Sequence, residues 1–248
     1  MLIEMDGMRL LTDPVLRRRV GHLWRHARPP LEGCWQQIDA VLISHVHADH
    51  LDMPSLRRLR RDTRLIVPSG LTGMLERRGF RRVEALERGR STTVGPLEVR
   101  ATPANHSGFM PPFGPTADSI GFAIYGSQRI YFAGDTDLFP EMEMARQELD
   151  IALLPVWGWG PRLGAGHMDP HRAARALELL RPRMAVPIHW GTFCPLGMGW
   201  LRPGFLSEPP HTFARHAADL APEVQVHILA PGQSLPLEAH SGAATPPV

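Results

Sequence analysis

Three histidines and an aspartate crowd into six residues, His45-Val46-His47-Ala48-Asp49-His50, separated only by Ser44 from the apolar run Val41-Leu42-Ile43. The run is rich in β-branched residues and reads as a buried strand. In an extended segment alternate side chains face the same way, so His45 and His47 can converge on one point. Asp49 and His50, at the turn that follows, can point at a second place close by. Imidazole and carboxylate suit zinc and similar first-row divalent metals. Surface histidines are ordinary when single, but a cluster of this density at a strand end points to a metal site.

The same event recurs along the chain: an apolar strand stops and a metal-binding side chain follows. It happens at His45, at His106 after Leu97 to Thr102, at Asp135 after Arg129 to Ala133, and at His189 after Met184 to Ile188. Ligands at strand ends can converge from distant parts of the chain onto one edge of a sheet sandwich, held more precisely than loops would hold them.

Other elements fall around these four. A hairpin is expected over Met1 to Pro14 with its turn at Asp6-Gly7, and a second over 120–133 with its turn at Gly126-Ser127. Val15 to Gln37, with Pro29-Pro30, reads as a short helix or irregular connection. Helices are expected from Pro54, over Leu71 to Arg78 with Gly79 closing it, near Glu141 to Glu148, from Asp169-Pro170 to Leu180 with Asp169 as N-cap, and over Phe213 to Leu220. Further strands are read at Leu65 to Val67, Arg82 to Leu86, Ser91 to Val94, Ile151 to Pro155 and Val224 to Leu229. Strand-rich halves, each followed by helices, suggest two packed sheets with helices outside. Residues 1–240 are expected to form one domain, and 241–248 a disordered tail.

Composition sets the outer bounds. With 248 residues the chain can bury a real core, and 43% apolar against 21% charged residues is ordinary for a globular protein. The net charge of +2 gives no argument for nucleic acid, and the positive charge is all arginine, with no lysine. Arginine runs such as Arg17-Arg18-Arg19 read as solvated faces. Cys34 and Cys194 make no disulfide framework. No signal peptide or membrane span is visible, so a cytoplasmic location is expected.

In order and spacing the residues resemble the metallo-β-lactamase superfamily over nearly the whole chain. Its HxHxDH motif stands as His45, His47, Asp49 and His50; the downstream histidine is His106, the aspartate of the "GDT" turn is Asp135, and the late histidine is His189. The resemblance implies an α/β fold, an αββα sandwich of two mixed sheets flanked by helices. It also implies two divalent metal ions, zinc first with manganese or iron as alternatives. His45, His47 and His106 would hold one, Asp49, His50 and His189 the other, and Asp135 would bridge them. Within the superfamily the chain looks most like the N-acyl-phosphatidylethanolamine phospholipase D and the ascorbate-phosphate lactonase. The likeness lies in "LIEMDGMRLLTDPV" from Leu2, "GHMDPHRAARA" from Gly166 and "PIHWGTF" from Pro187. Those relatives carry a further N-terminal strand before the first hairpin, which leaves the sheet edge and the oligomeric state open.

The expected activity is hydrolysis of a phosphodiester or an ester/lactone, small or lipid-like, by a hydroxide shared between two metals. Asp135 would orient it and Asp49 would handle protons. By the phospholipase-like motif His167 would face substrate; the plainer reading is a loop histidine. Asp52 leans towards supporting a ligand imidazole, against a role at the helix entry. Trp157, Trp159, Trp190, Phe109 and Phe113 flank the site and either wall a pocket or pack in the core. Cys194 reads as a buried, inert thiol. The alternative is a non-hydrolytic metal-binding protein or a di-iron redox protein on the same scaffold, but the latter would prefer a carboxylate at His47 and a flavin domain. A nuclease of this superfamily would need an insert or an RNA-binding arm.

Overall fold

The structure is a computed structural model that describes residues 1–110 and 114–237. Phe113 and the expected tail at 241–248 lie outside the described residues. The chain runs β1 (Leu2–Met5), β2 (Met8–Thr12), β3 (Arg19–Val20), β4 (Leu23–Arg25), β5 (Ala40–Leu42), α1 (Met53–Leu56), β6 (Arg64–Pro68) and α2 (Thr72–Arg77). Then come β7 (Val83–Leu86), β8 (Ser91–Val94), β9 (Leu97–Pro103), β10 (Ile120–Tyr125), β11 (Arg129–Phe132) and β12 (Ile151–Pro155). The last part holds α3 (Pro170–Leu180), β13 (Met184–Ile188), β14 (Phe193–Pro195), α4 (Met198–Leu201), α5 (Gly204–Leu220) and β15 (Gln225–Val226).

Five strands in the order β1-β2-β5-β6-β7 form one sheet, and seven in the order β15-β13-β12-β11-β10-β9-β8 form the other. Period-two alternation sorts their side chains. Leu10, Ala40, Leu42 and Ile66 point inward against Val99, Ala101, Phe122, Phe132 and Leu153 of the facing sheet. Val41, Ile43, Leu65 and Val67 point outward under Leu56, Leu71 and Leu75. On the far side Tyr131, Ala152 and Leu154 pack against Ala173, Leu177 and Phe213 of α3 and α5. The result is the helix–sheet–sheet–helix sandwich of the metallo-β-lactamase fold. Strands β5 and β6 are covered on both faces, which is why they read as unbroken apolar runs.

Several local expectations need correcting. The Val15 to Gln37 stretch contains two short strands, β3 and β4, which join β14 in a third sheet, plus a 3-10 turn at Glu32–Trp35. The helix expected near Glu141 to Glu148 is a 3-10 turn over Pro140–Ala145, ended by extended backbone at Arg146. Helix α5 starts well before Phe213 and runs through Pro209 and Pro210. Proline at 210 cannot donate to the carbonyl of Leu206; that oxygen instead lies over Gly191, where a Cβ would meet it at 2.7 Å.

Asp52 also differs from the reading that favoured it as support for an imidazole. Its carboxylate caps α1, accepting from the Ser55 amide at 3.1 Å, and forms a forked pair with Arg17 at 2.7–3.0 Å. The Asp52 side chain is 2% exposed and Arg17 is 35% exposed, so the pair is stronger than a surface bridge but partly screened. Replacing Asp52 with Ala is expected to cost about 2 kcal/mol of stability in urea unfolding, with metal content unchanged. A variant that kept its stability but lost metal would restore the earlier reading.

Candidate metal centre

Four strands deliver donors to one place. His45, His106 and Asp135 each follow the last residue of their strand by three positions, and His189 follows β13 by one. All seven residues meet there. His45 Nε2 and His106 Nε2 each lie 3.0 Å from His47 Nδ1. His50 Nε2 lies 3.1 Å from His189 Nε2, with Asp49 Oδ2 at 3.7 and 3.6 Å from those two nitrogens. Between the groups sits Asp135, whose Oδ2 is 3.1 Å from His50 Nε2, 3.3 Å from His189 Nε2 and 3.9 Å from His45 Nε2.

Close approach at Gly134 makes this placement possible. Its φ is +62°, and a Cβ there would meet Ser44 Cβ at 2.7 Å. Glycine alone brings the turn down against the β5 end without strain. The Thr136 hydroxyl then accepts from the Asn105 amide at 2.9 Å, tying the Asp135 turn to the loop that carries His106.

Outer partners assign each imidazole tautomer. His47 Nε2–H donates to the Phe109 carbonyl at 3.1 Å, His106 Nδ1–H to that of Gly166 at 2.7 Å, and His189 Nδ1–H to that of Trp157 at 2.9 Å. His50 Nδ1–H donates to Asp13 Oδ2 at 2.7 Å. The Ser44 hydroxyl gives its proton to Asp13 Oδ2 at 2.6 Å, so it accepts from His45 Nδ1–H at 2.9 Å. The inward nitrogens of His45, His47 and His106 are therefore lone pairs, oriented as in metal sites where the second ring nitrogen is pinned by a carbonyl or carboxylate. Lone pairs 3.0 Å apart with no proton between them repel unless a cation joins them.

Charge divides the cluster. Burial pushes His45 well below the ordinary imidazole value, with His50 adding to it, lowers His47, and takes His106 down to about 4. These three are neutral. Burial is the largest influence on His50 and His189 and opposes their charge, yet the neighbouring carboxylates together outweigh it: Asp135, Asp49 and Asp13 raise His50 well above its ordinary value, and Asp135 with Asp49 raises His189. Burial would raise both carboxyl groups, but His50 and His189 hold Asp49 at about 2 and Asp135 well below its usual range. Asp135 Oδ1 is buried with no hydrogen-bond partner among the described residues. An orphaned carboxylate oxygen beside convergent imidazole lone pairs is a donor set that fits divalent cations.

His167 also reaches the centre. Its Nδ1–H faces the Ala165 carbonyl at 3.1 Å and its Nε2 lies 3.3 Å from Asp135 Oδ2. Arg172 fixes its loop, bonding the His167 carbonyl at 2.9 Å and Asp137 at 2.6 Å. Of the flanking aromatics, Trp157 and Trp190 are packed against apolar clusters, while Trp159 and Phe109 are exposed. Cys194 is buried with Phe205 and Leu206, apart from the donors.

Asp13 is the functional residue that sequence reasoning missed. It accepts from the Ser44 amide at 2.8 Å as well as from the Ser44 hydroxyl and His50, and so holds both histidine groups. Its φ of +41° and the φ of +60° at His189 put two non-glycine residues of the centre in the left-handed region, where strain is usual at functional sites. The signal was present: Asp13 directly follows β2, a further polar residue at a strand end.

Layers, strand order and a histidine–aspartate centre at the strand ends together define a metallo-β-lactamase-type domain. Residues 8–190 match the family described as the beta-lactamase superfamily domain, and the chain belongs to that superfamily. A UPF0173 metal-dependent hydrolase of Methanopyrus kandleri is 31% identical over 238 residues, 94% of each chain. Among solved structures, a metallo hydrolase from Ignicoccus hospitalis aligns with a TM-score of 0.72 at 24% identity, covering 96% of this chain and 94% of its own. A di-iron β-hydroxylase from Streptomyces venezuelae aligns with a TM-score of 0.69 at 20% identity, covering 93% of this chain and 51% of its own. At these identities the two structures share the fold.

Proposed function

We propose that the chain is a binuclear metal-dependent hydrolase acting on a phosphodiester or an ester/lactone. His45, His47 and His106 would hold one divalent cation, Asp49, His50 and His189 the second, with Asp135 between them and zinc as the first choice. The observation that carries this reading is Asp135, with one oxygen set among inward-facing imidazoles and the other buried without a partner among the described residues. When bound, the cations would supply a water acidified towards neutrality and charge stabilisation for the attacked centre.

The chain's own groups set the rest. Asp49, held ionised at about 2, would accept a hydrogen bond at Oδ2 from the reacting group. His167 Nε2, positioned through Arg172, orients the reacting group. The named relative, a metal-dependent hydrolase, supports the reaction class. Support for the bond type comes from the motifs at Gly166 to Ala176 and Pro187 to Phe193.

The test is metal analysis of purified protein with a panel of phosphodiester, lactone, thioester and β-lactam substrates. Turnover of a phosphodiester or ester that stops on chelation and in His47→Ala is expected. Turnover that survives either would remove the reading.

Metal uptake should also release protons. His50 and His189, raised by Asp135, carry protons near neutrality that a cation at their Nε2 atoms must expel. Affinity therefore rises with pH as these two imidazoles, raised above the ordinary histidine value, give up their protons. Zinc added to metal-free protein in weakly buffered indicator solution should acidify it; uptake without acidification would contradict the assignment of those two histidines.

A further inference from the structure

One face of the molecule is both apolar and basic. Trp200 is 93% exposed, Leu201 77% and Leu196 74%, all on or beside α4. Trp24 and Trp159 are also exposed. These residues belong to one neighbourhood. Trp24 pairs across the third sheet with Cys194, and a Cβ at Gly199 of α4 would lie 3.5 Å from Cys194 Sγ and 3.8 Å from His26 Nδ1. The His22 ring is 5.1 Å from that of Trp159, and Met198 packs with Trp157 on the cluster around Cys194.

Charge along these segments is mainly positive. Residues 14–31, 156–168 and 190–207 contain seven arginines, with the exposed carboxylates Glu32 and Glu208 at their borders, in a chain whose net charge is only +2. Arg17 is committed to Asp52, and Arg25 is stacked on Phe193. The remaining Arg18, Arg19, Arg28, Arg162 and Arg202 are exposed. The Arg19 guanidinium lies 5.5 Å from the Trp24 ring centre.

We propose that this face docks on an anionic lipid bilayer, with Trp200 and Leu201 entering the headgroup layer and the arginines facing acidic lipids. Tryptophan prefers the membrane–water interface, where its ring is buried while the indole N–H stays wet. Exposed leucine beside it gains by leaving water, and arginines near an anionic leaflet add attraction. A second copy is a poorer occupant: a twofold contact would set the arginine cluster against itself. No helix among the described residues is long and apolar enough to cross a membrane; lying on the surface needs none. The docking is independent of the hydrolase reading.

The experiment is co-sedimentation of the full chain with phosphatidylcholine vesicles, with and without phosphatidylglycerol. Binding at least about tenfold tighter to the anionic vesicles, and weakened by salt, is expected. Arg18→Glu and Arg19→Glu should each weaken it by about fivefold or more. The pair Trp200→Ser and Leu201→Ser should weaken it at least about tenfold; because both side chains are exposed, circular dichroism should be unchanged. Equal or absent retention on the two vesicle types would overturn the proposal. So would a dimer in sedimentation velocity that the serine pair converts to monomer, which would assign the face to a second copy.

Discussion

Asp135→Ala is expected to abolish hydrolysis, lowering kcat/KM by about a thousandfold or more, equivalent to roughly 4 kcal/mol of lost transition-state stabilisation. The reasoning is local. Asp135 Oδ2 lies between the two histidine groups, 3.1 Å from His50 Nε2 and 3.9 Å from His45 Nε2. Without it the inward lone pairs have no shared anion and the two proposed cations repel one another unscreened. Equilibrium dialysis against zinc should then show at most one tightly held ion per chain. In the metal-free protein Asp135 also balances charge on His50 and His189, so that balance is lost too. Circular dichroism would confirm that the variant is folded, and a folded Asp135→Ala that keeps two ions would refute the bridging role.

Asp13→Asn should produce the next largest effect, through a residue that touches no substrate. The amide side chain tolerates the left-handed backbone at φ +41°, so the fold should persist. What changes is the partner of His50. An amide N–H presented to Nδ1 would make that nitrogen an acceptor and move the imidazole proton to Nε2, where the second cation should sit. Affinity at that position is expected to fall about 10- to 100-fold, while the site formed by His45, His47 and His106 changes less. Competition with a chromophoric chelator separates the two steps. Two ions held with unchanged affinity would show that Asp13 serves stability alone.

Much of this architecture can be read from the chain because burial leaves a strong imprint. Strands β5, β12 and β13 lie inside the sandwich, so their residues are apolar on both faces and stop where donors begin. A ligand at a strand end needs no local motif beyond that stop. What escaped detection lacks such an imprint. Strands β3 and β4 span two and three residues and contain arginine, too short for alternation to show. Helix α5 was cut short because two prolines normally end a helix, and the space over Gly191 that accommodates the freed Leu206 carbonyl is a tertiary fact. Asp52 was drawn to the histidines by sequence proximity, while its real partner, Arg17, lies 35 residues away. Backbone acceptors such as the carbonyls of Phe109, Gly166 and Trp157 carry no sequence signature, since every residue has one.

The central claim is that two cations sit on either side of one carboxylate. Anomalous scattering from crystals of the zinc-loaded chain, recorded across the zinc edge, measures this directly. Two peaks are predicted, one among His45, His47 and His106 and one among Asp49, His50 and His189, both within bonding reach of Asp135. A single peak away from Asp135, or none at full occupancy of added zinc, would contradict it.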